Sequence, residues 1–568
     1  MFRWKIFPKS EYSAADCGNI HPVVFNLLSR RGLKNSEEMN NFISPSYERD
    51  VFDPFLFSDM KKVIERIKKS KDEKEKICIF GDYDADGITS AIIIKETLEL
   101  LGLFADIYIP DKKTEGYGMN IAAIEKFAKD EVKLIITVDC GITNVKEVER
   151  ANELGMDVII TDHHHIPENL PEAYAIINPK MKNSNYPFLE LAGVGVAFKV
   201  AQAIFEKLLP GKKEQTKWML DLVAIGTIAD CVPLVGENRL FVKYGLLVLS
   251  KTKRIGLREL FNVGRMKIDE NNVPSERNVS FHIAPRINAA GRINHANLAY
   301  NLIVENSVVK ARDFALELES HNSSRQKITE TIVNEVKILA ENMFKDKKFI
   351  FAVGENFSIG VVGLVAGKIA QQFNKPTAVI QKGEKESKGS FRSIPQIDII
   401  EIISRCGDLL HKYGGHSQAA GITIANENLE AFYEKMNLEI EKELVGKDIS
   451  PELEIEAEIK SQDIDFSLTD FLEKIKPFGV GNPEPIFSMN NLTVEDIRTV
   501  GSGEKHLKLS LRSQDNDQKI FDTIGFYMTE SFAHVKRGDV VDVAFNLQKD
   551  EWNGNKKTQL LLVDIKKQ

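Results

Sequence analysis

Short apolar runs alternate with helical stretches in the first half of the chain, and most of these runs end in a polar residue. The runs cover residues 77–80, 104–109, 134–138, 158–161 and 175–177. Short segments rich in isoleucine and valine, separated by helices, are typical of a parallel sheet that is buried on both faces. The pattern therefore predicts such a sheet. It also predicts a helix over 90–102, with Thr89 or Ser90 as its N-cap and Gly102 as its stop.

The spacing of apolar residues changes twice in the second half of the chain. Apolar residues at helical spacing over about 305–345 predict one long helix, or two, that connects domains. A second strand-helix series begins at 349–353 and 377–380. After about residue 450, alternating runs such as 507–512 and 540–545, with turn signals at Arg537-Gly538 and Asn553-Gly554, predict a small β-barrel or sandwich.

Length and composition limit the possible classes of protein. A chain of 568 residues predicts three or four domains, and no apolar run approaches the roughly 18 residues of a membrane span. The N-terminus lacks the pattern of a secretory signal. Five scattered cysteines without a CxxC pair favour a reducing cytosol over a disulfide framework or zinc ribbon. A net charge of −8 disfavours broad non-specific nucleic-acid binding, although it leaves room for a local basic groove.

Three aspartates alternate directly after the first predicted strand, at Asp82, Asp84 and Asp86. Carboxylates this close repel one another unless a cation neutralises them. Oxygen ligands suit Mg²⁺ or Mn²⁺, and added imidazole favours Mn²⁺. An exposed acidic turn is the alternative interpretation. An EF-hand loop is excluded because Ile93 occupies the position where its glutamate is required.

Further potential ligands follow other strands or helices of the same region. Asp139 follows the run 134–138, and Asp230 lies in the segment GTIADCVP. Each aspartate, taken alone, is more often a helix N-cap than a metal ligand. His163, His164 and His165 follow the run 158–161, and adjacent histidines in a loop are uncommon away from metals. Since ligands gather at the carboxyl ends of parallel strands, we expect a site for two divalent ions about 3.5–4 Å apart, which would support hydrolysis at phosphorus.

Motifs at these positions resemble a known superfamily. GDYDADG at 81–87, VDCG at 138–141 and DHH at 162–164 match the DHH phosphoesterases in order. Later segments resemble the bacterial RecJ family of single-stranded-DNA exonucleases: EGYGMN at 115–120, GTIADCVPL at 226–234, PRINAAGRI at 285–293, GVVGLVAGKI at 360–369, GSFRS at 389–393, GGHSQAAG at 414–421 and PFGVGNPEPIF at 477–487. The resemblance runs from about residue 70 to the C-terminus.

The resemblance implies a set of functional residues. The implied metal ligands are Asp82, Asp84, Asp139, His163 and Asp230, with Asp139 bridging two Mn²⁺ or Mg²⁺ ions. The implied catalytic set adds Asp86 and His164, and Asp162 joins them as a ligand or as a partner of one. Related phosphatases carry a histidine where this chain has Cys78, so that ligand is missing. His165 receives no role.

The resemblance also implies a domain order and a nucleic-acid surface. The expected domains are an N-terminal segment (1–70), a DHH catalytic domain (71–300), a connecting helix (301–345), an α/β DHHA1 domain (346–448) and an OB-fold-like barrel (449–568). The implied nucleic-acid contacts are Arg286, Arg292, Arg392, Ser393, Gly414, Gly415 and His416. Glycine turns bring N–H groups close to phosphates and arginine binds them bidentately, but solvated charges and an ordinary turn are the alternatives. Phe526, Tyr527, Phe545 and Trp552 are either core residues or base-stacking residues of the barrel.

The implied function is a 5′→3′ exonuclease that degrades single-stranded DNA to 5′-mononucleotides in DNA repair and recombination. The resemblance implies a cytoplasmic enzyme that works with single-strand-binding protein and a RecQ-type helicase, and we expect a monomer without membrane attachment. One alternative is a DHH phosphodiesterase acting on short oligonucleotides or cyclic dinucleotides. Another is a non-catalytic scaffold that has lost its metals. An inorganic pyrophosphatase is disfavoured by Cys78 and by the additional domains.

Overall fold

The fold was analysed in a computed structural model. The structure describes residues 2–8, 17–112, 114–293, 295–515, 518–550 and 557–568. Trp552 and the Asn553-Gly554 turn signal lie outside the described residues. No helix in the described part of the chain combines the length and apolar character needed to cross a membrane.

The N-terminal segment is more structured than its polar sequence indicates. Its elements are β1 (Arg3–Ile6), α1 (Pro22–Arg30), α2 (Ser36–Ile43), α3 (Tyr47–Asp50) and α4 (Met60–Glu73). β1 pairs in parallel with Glu452–Ile455, a strand that follows the second lobe in the chain. The N-terminal segment is therefore joined to a distant part of the chain.

A parallel sheet forms the next region. Its elements are β2 (Lys76–Gly81), α5 (Ala85–Leu100), β3 (Ala105–Tyr108), α6 (Ile121–Lys129), β4 (Val132–Val138), α7 (Val145–Glu153), β5 (Asp157–Thr161) and β6 (Ala175–Ile177). The five strands are parallel in the order β3-β2-β4-β5-β6, which confirms the predicted sheet. Because β2, β4 and β5 are neighbours, the residues that follow them meet at one edge.

The helix after β2 begins earlier than the sequence predicts. It starts at Ala85 rather than near Ser90. A side-chain oxygen of Asp84 accepts hydrogen bonds from the backbone N–H groups of Asp86 (2.9 Å) and Gly87 (3.0 Å) and so caps the helix. The acidic motif therefore combines a helix N-terminus with a strand end, and the helix dipole favours its negative charge.

A mainly helical region covers this sheet and continues into one long helix. Its elements are α8 (Gly193–Leu208), α9 (Leu220–Ala229), α10 (Gly236–Ser250), α11 (Ile255–Val263), α12 (Glu276–Asn278), α13 (Ala284–Ile293), α14 (Asn297–Val304) and α15 (Val308–Met343). A π-helical turn, Val279–Ile283, precedes α13. α15 is a single 36-residue helix, which settles the choice between one connecting helix and two.

A mixed sheet follows α15. Its elements are β7 (Ile350–Gly354), α16 (Val362–Phe373), β8 (Thr377–Lys382), β9 (Glu386–Arg392), α17 (Ile399–Arg405), β10 (Leu410–His416), β11 (Ala419–Ala425) and α18 (Leu429–Glu443). The strand order is β10-β11-β9-β8-β7, and only β7 and β8 pair in parallel. α15 and α16 share an apolar core with β7 and β8.

A closed barrel completes the described chain. The elements of this last region are β12 (Glu452–Ile455), β13 (Ala457–Glu458), α19 (Phe466–Ile475), β14 (Phe487–Val500), β15 (His506–Ser513), β16 (Ile520–Gly525), β17 (Val540–Asp550) and β18 (Lys557–Lys567). β12 pairs with β1 and is not a strand of the barrel. β14 pairs with both β15 and β17 and thereby closes the barrel. The barrel, rather than a sandwich, is therefore the correct form of the predicted β-rich region. Short 3₁₀ segments connect elements at Pro54–Leu56, Pro210–Met219, Gly407–Leu409, Asn426–Asn428, Ser461–Asp463 and Ser502–Glu504.

Candidate metal centre

Acidic and imidazole side chains from distant parts of the chain meet at the carboxyl edge of the parallel sheet. The Nε2 atom of His163 lies 3.2 Å from Oδ1 of Asp139 and 3.5 Å from Oδ2 of Asp230. In the described part of the chain, three sets of potential ligand atoms each lie within 4.8 Å of one another: Asp82, Asp84 and Asp139; Asp86, His163 and Asp230; and Asp139, His163 and His164. The predicted ligands thus share one site, and Asp139 belongs to two of its three sets.

Asp139 is held in a conformation that few residues of its type adopt. Its φ is +60°, in the left-handed region, and its backbone N–H donates to the carbonyl of Thr161 at 2.9 Å. A Cβ added to Gly193 would lie 2.5 Å from Oδ1 of Asp139, so only glycine allows α8 to approach the carboxylate. Asp139 is therefore not a helix N-cap, and its strained backbone is typical of a functional position.

The acidic motif is buried, which contradicts the exposed-turn interpretation. Asp82 is 5% exposed, Asp86 1% and Asp139 3%. Burial, followed by repulsion from Asp84, raises the pKa of Asp82 to about 8. Burial and Asp84 likewise raise the pKa of Asp230 to about 7. Carboxylates with such raised pKa values are poorly stabilised in their charged form unless a cation is present.

Several polar atoms of this cluster lack partners. Oδ1 of Asp82, Oδ1 of Asp139 and Nε2 of His163 are buried and make no hydrogen bond within the described residues. Burial, followed by the neighbouring His164, lowers the pKa of His163 to about 3, so its ring is neutral and able to donate a lone pair. Carboxylate oxygens with a neutral imidazole form a donor set that fits Mn²⁺ or Mg²⁺.

Asp86 has a different environment from the other aspartates. Its two carboxylate oxygens accept the backbone N–H groups of Gly193 and Val194, each at 2.8 Å. A Cβ on Gly226 would lie 2.8 Å from Oδ1 of Asp86, so α9 packs directly against this carboxylate. These contacts tie α5 to α8 and α9, and they fix the elements that carry the other acidic residues.

His164 is oriented by two neighbours. Its Nδ1 lies 2.7 Å from Oδ1 of Asp162 and 3.1 Å from the hydroxyl of Tyr117. Asp162 also accepts the backbone N–H groups of Ile142 and His163. Although burial would raise the pKa of Asp162, the hydrogen bond from His164 keeps it below its ordinary value. Tyr117 belongs to the segment EGYGMN, whose pattern alone does not reveal this contact.

Cys78 stands where related phosphatases carry a histidine, and it does not reach the site. It is 2% exposed and packs in an apolar cluster with Phe80, Ile124 and Ile135. The side chain is part of the apolar core beneath the sheet edge. Its location agrees with the prediction that this position supplies no metal ligand.

A small cavity opens beside the acidic motif. Its volume is about 250 Å³, and Tyr83, Lys112, Asn288 and Arg292 contribute to its lining. The ammonium group of Lys112 lies 4.9 Å from the centre of the Tyr83 ring. Sequence reasoning missed Lys112, because a single lysine in a loop carries no distinguishing pattern.

The arginines predicted to contact nucleic acid differ in their surroundings. Nη1 of Arg292 donates to the carbonyl of Gly360 at 3.1 Å, which joins the two lobes. The Nε atom of Arg286 lies 2.5 Å from Glu319, and its Nη1 donates to the carbonyl of His282. Arg286 is only 8% exposed and is engaged by protein groups, which favours a structural role over a surface contact.

The glycine-rich segment of the second lobe is a strand rather than a turn. Gly414, Gly415 and His416 end β10 and pair with β11. Gly415 has φ +152°, and a Cβ there would overlap Ala419 and Ala420. The segment is nevertheless exposed, and the His416 ring lies 6.0 Å from that of His165, so the two lobes face each other here.

Some of the other residues predicted to contact nucleic acid are engaged or buried within the protein, and others are exposed. The hydroxyl of Ser393 donates to the carbonyl of Ile397 at 2.9 Å and shapes its own loop. Phe545 is fully buried in the barrel core. Phe526 and Tyr527 are 52% and 75% exposed, and both rings pack edge-on against His506. These two aromatic residues are available for stacking, whereas Phe545 is not.

Three family models match the chain in the order of its domains. The DHH family, N-terminal domain, matches residues 76–227. The DHHA1 domain matches residues 346–442. The RecJ OB domain matches residues 455–564.

Curated relatives match nearly the whole chain. The single-stranded-DNA-specific exonuclease RecJ of Bacillus subtilis is 38% identical over 548 residues, which cover 96% of this chain and 68% of that protein. The corresponding protein of Escherichia coli is 29% identical, and the match covers 96% of each chain.

Two solved structures share the architecture. The crystal structure of RecJ in complex with Mn²⁺ from Thermus thermophilus is 27% identical, with a TM-score of 0.82 over 100% of this chain and 80% of that one. A crystal structure of exonuclease RecJ bound to manganese is 30% identical, with a TM-score of 0.61, and covers 70% of this chain and 99% of that one.

Proposed function

Because this chain belongs to the RecJ family of single-stranded-DNA-specific exonucleases, we propose that it is a metal-dependent exonuclease that degrades single-stranded DNA. The observation that carries the proposal is the cluster of buried ligand atoms around Asp139 and His163, some of which have no hydrogen-bond partner. A scaffold without metals would gain nothing from burying these carboxylates. The intact cluster therefore favours catalysis over the scaffold alternative.

The proposed metal ligands are Asp82, Asp84, Asp139, His163 and Asp230, and the proposed catalytic set adds Asp86 and His164. Asp139 is the bridging candidate because it lies within reach of both the aspartate pair and the histidines. The relatives' crystal structures with manganese support Mn²⁺, and the oxygen-rich donor set also suits Mg²⁺. Two such ions, when bound, activate a water molecule and stabilise the leaving oxygen.

The protein groups around this cluster would position the substrate. Asp162 and Tyr117 orient the ring of His164, as an outer shell of hydrogen bonds does at many metal sites. Lys112 and Arg292 place positive charge in the cavity beside Asp82 and would bind a phosphate there. The exposed strand that ends at His416 lies across the cleft, where it would contact the same DNA strand.

The finer features of the proposal rest on family membership. We propose 5′→3′ polarity, 5′-mononucleotide products and a role in DNA repair and recombination. A monomer in the cytoplasm that cooperates with single-strand-binding protein and a RecQ-type helicase belongs to the same proposal. The division into residues 1–70, 71–300, 301–345, 346–448 and 449–568 is also retained, and the ranges of the family models support its three larger domains.

A long substrate is favoured over a dinucleotide by the barrel. Phe526 and Tyr527 are exposed on a domain separate from the metal centre, and exposed aromatic rings are the usual stacking groups for bases in such barrels. A phosphodiesterase for short oligonucleotides or cyclic dinucleotides would not need them. Comparing the turnover of a long single strand with that of a dinucleotide separates these two functions.

The decisive assay uses single strands labelled at either the 5′ or the 3′ end, with and without Mn²⁺. The proposal predicts immediate release of a labelled mononucleotide from 5′-labelled DNA and a ladder of shortening products from 3′-labelled DNA. Both results should require the metal. Mononucleotide release from the 3′ label first, or no cleavage with Mn²⁺ present, would contradict the proposal.

A further inference from the structure

Two of the sequence motifs contact each other in the fold. One is PFGVGNPEPIF at 477–487, which connects α19 to β14, and the other is the end of GTIADCVPL at 226–234. The backbone N–H of Leu234 donates to the carbonyl of Val480 at 2.7 Å. Leu234 is only 4% exposed. The contact therefore joins the last region of the chain to the segment that carries Asp230.

Asp230 is held differently from the proposed ligands that follow strands of the parallel sheet. It follows α9 and begins the connection to α10, which consists of residues 230–235. The next residue, Cys231, has φ +60°, a left-handed conformation that is uncommon for residues other than glycine. The position of Asp230 therefore depends on the end of α9 and on the contacts that hold this connection.

Asn482 closes and anchors the 479–482 turn. The two ends of the turn exchange backbone hydrogen bonds of 2.8 and 3.1 Å. The side chain of Asn482 is completely buried, and its Nδ2 donates to the carbonyls of Ile475 at 3.0 Å and Pro477 at 2.7 Å. Its Oδ1 accepts a hydrogen bond from Arg31. One side chain thus fixes the turn to the end of α19 and to the N-terminal segment.

Two glycines let this turn lie directly against the connection. Gly481 has φ +73°, which favours glycine. A Cβ on Gly481 would lie 3.2 Å from Cβ of Pro233 and 3.2 Å from Cγ1 of Val235. A Cβ on Gly479 would lie 2.8 Å from Cδ1 of Leu234. A methyl group at either glycine would therefore press on the connection.

The first turn of α10 holds the same connection through a second set of contacts. Nδ2 of Asn238, which is completely buried, donates to the carbonyl of Pro233 at 3.1 Å. Nη2 of Arg239 donates to the carbonyls of Lys474 and Lys476 at 3.1 and 3.0 Å. The connection is therefore held by both the 479–482 turn and α10, and both of these are tied to the end of α19.

We propose that Asn482 is a positioning residue of the metal centre. By holding the 479–482 turn against Leu234, it fixes the connection after α9 and keeps Oδ2 of Asp230 at 3.5 Å from Nε2 of His163. Metal ligands must be held within about 0.5 Å of their productive positions, and the residues behind them supply that precision. The inference deepens the proposed function and rests on the proposed metal centre, of which Asp230 is a ligand.

The metal-binding test compares Gly481→Ala with the control Gly538→Ala. Both glycines lie in the last region of the chain and have positive φ, +73° and +89°, so alanine strains the backbone at each and should lower both melting temperatures. A Cβ on Gly538 would meet nothing within 4 Å. We expect Gly481→Ala to weaken Mn²⁺ binding, measured by calorimetry, by about 10-fold or more, and Gly538→Ala to leave it within about twofold of the wild type. Equal Mn²⁺ affinities in the two variants would overturn the proposal.

Asn482→Ala removes the anchor itself. Because the carbonyls of Ile475 and Pro477 lose their donor, both the melting temperature and the Mn²⁺ affinity should fall, the affinity again by about 10-fold or more. Wild-type affinity in a folded Asn482→Ala variant would contradict the positioning role. If Asn482→Ala does not fold, the comparison of the two glycine variants decides.

An Asp230→Asn background shows whether the turn acts through this ligand. There, Gly481→Ala should change Mn²⁺ affinity by less than about twofold, because the carboxylate that the turn positions is already gone. A loss as large as in the wild-type background would show that the turn acts on other ligands and would contradict the proposal. If Asp230→Asn binds Mn²⁺ too weakly to measure, the comparison of Gly481→Ala with Gly538→Ala decides.

The same measurements separate this inference from the proposed activity. Wild-type protein that binds Mn²⁺ and loses affinity through Gly481→Ala, but releases no nucleotide from DNA, would support the positioning role and contradict only the exonuclease proposal. An active wild type whose Mn²⁺ affinity is unchanged by Gly481→Ala would contradict only the positioning role. Wild-type protein without measurable Mn²⁺ binding would overturn the metal centre and the positioning role together.

Discussion

Nε2 of His163 lies 3.2 Å from Oδ1 of Asp139, and neither atom makes a hydrogen bond within the described residues. The two residues follow neighbouring strands of the parallel sheet, β5 and β4. A lone pair on a neutral imidazole and a carboxylate oxygen repel each other at this distance unless a proton or cation lies between them. A cation bound between these two atoms would remove that repulsion.

Replacing the bridging candidate should remove activity without unfolding the protein. We expect Asp139→Asn to lose more than the roughly 100-fold that removal of an outer hydrogen-bonding partner costs at metal sites, because it removes a charged ligand. The measurement is Mn²⁺-dependent nucleotide release from single-stranded DNA, with circular dichroism to verify folding. Asp130→Asn, at an exposed position, is the control and should retain activity. Retained activity in Asp139→Asn would refute the bridging role.

The metal-free protein should lose stability as pH rises. The folded pKa values of Asp82 and Asp230, about 8 and about 7, lie above the ordinary aspartate value, so the folded state holds protons that the unfolded state has released. This stabilisation is fully present below about pH 4 and is lost as pH rises through 7 and 8.

Thermal melts of protein in EDTA from pH 5 to pH 9 test this linkage. The contribution of these two aspartates to the melting temperature of the protein should fall toward pH 9. Adding Mn²⁺ should raise the melting temperature most at high pH, where the proposed ligands are deprotonated. The double variant Asp82→Asn/Asp230→Asn should show a flatter profile. An identical profile in that variant would assign the pH dependence to other groups.

The partner of His164 should tune metal affinity. Asp162→Asn keeps the side-chain shape but removes the charge that orients the ring. We expect Mn²⁺ affinity, measured by calorimetry, to fall by about 10- to 100-fold. Glu172→Gln, an exposed change on the loop before β6, is the control. Equal affinities in the two variants would show that Asp162 acts on the fold rather than on the metal.

Breaking a buried ion pair should destabilise the catalytic region. Nζ of Lys199 lies 2.5 Å from Oε1 of Glu237, and both side chains are completely buried. Lys199→Met would leave the carboxylate unpaired, at a cost of about 3–5 kcal/mol in the free energy of unfolding. Urea unfolding measures this cost, and Lys207→Met, at an exposed pair, should cost less than about 1 kcal/mol. Similar losses in both variants would contradict the argument.

Sequence patterns predicted the metal site better than its surroundings. Asp82, Asp139 and His163 follow strand ends, and parallel strands bring such positions to one edge, so these three proposed ligands could be placed together without a structure. Asp230 follows helix α9 instead, so the positions of the strand ends did not place it. Asp84 was harder, because its side chain caps α5 and moves the start of that helix away from Ser90. Gly414 and Gly415 lie in a strand because β11 pairs with them, a long-range contact that local turn propensity does not report.

The cationic residues show a second limit of prediction from sequence. Lys112 carries no local pattern, and its place beside the acidic motif appears only when its loop and α13 are brought together in the fold. Conversely, Arg286 has the same motif environment as Arg292 but is paired with Glu319. Charge compensation depends on which elements pack together, and the sequence alone does not report that.

The central claim is that Asp139 bridges two divalent ions at the edge of the parallel sheet. Anomalous diffraction at the manganese edge, from crystals grown with Mn²⁺, tests it directly. The account predicts two peaks about 3.5–4 Å apart, with an oxygen of Asp139 between them and His163 beside one. A single peak away from Asp139, or none at all in this cluster, would contradict it.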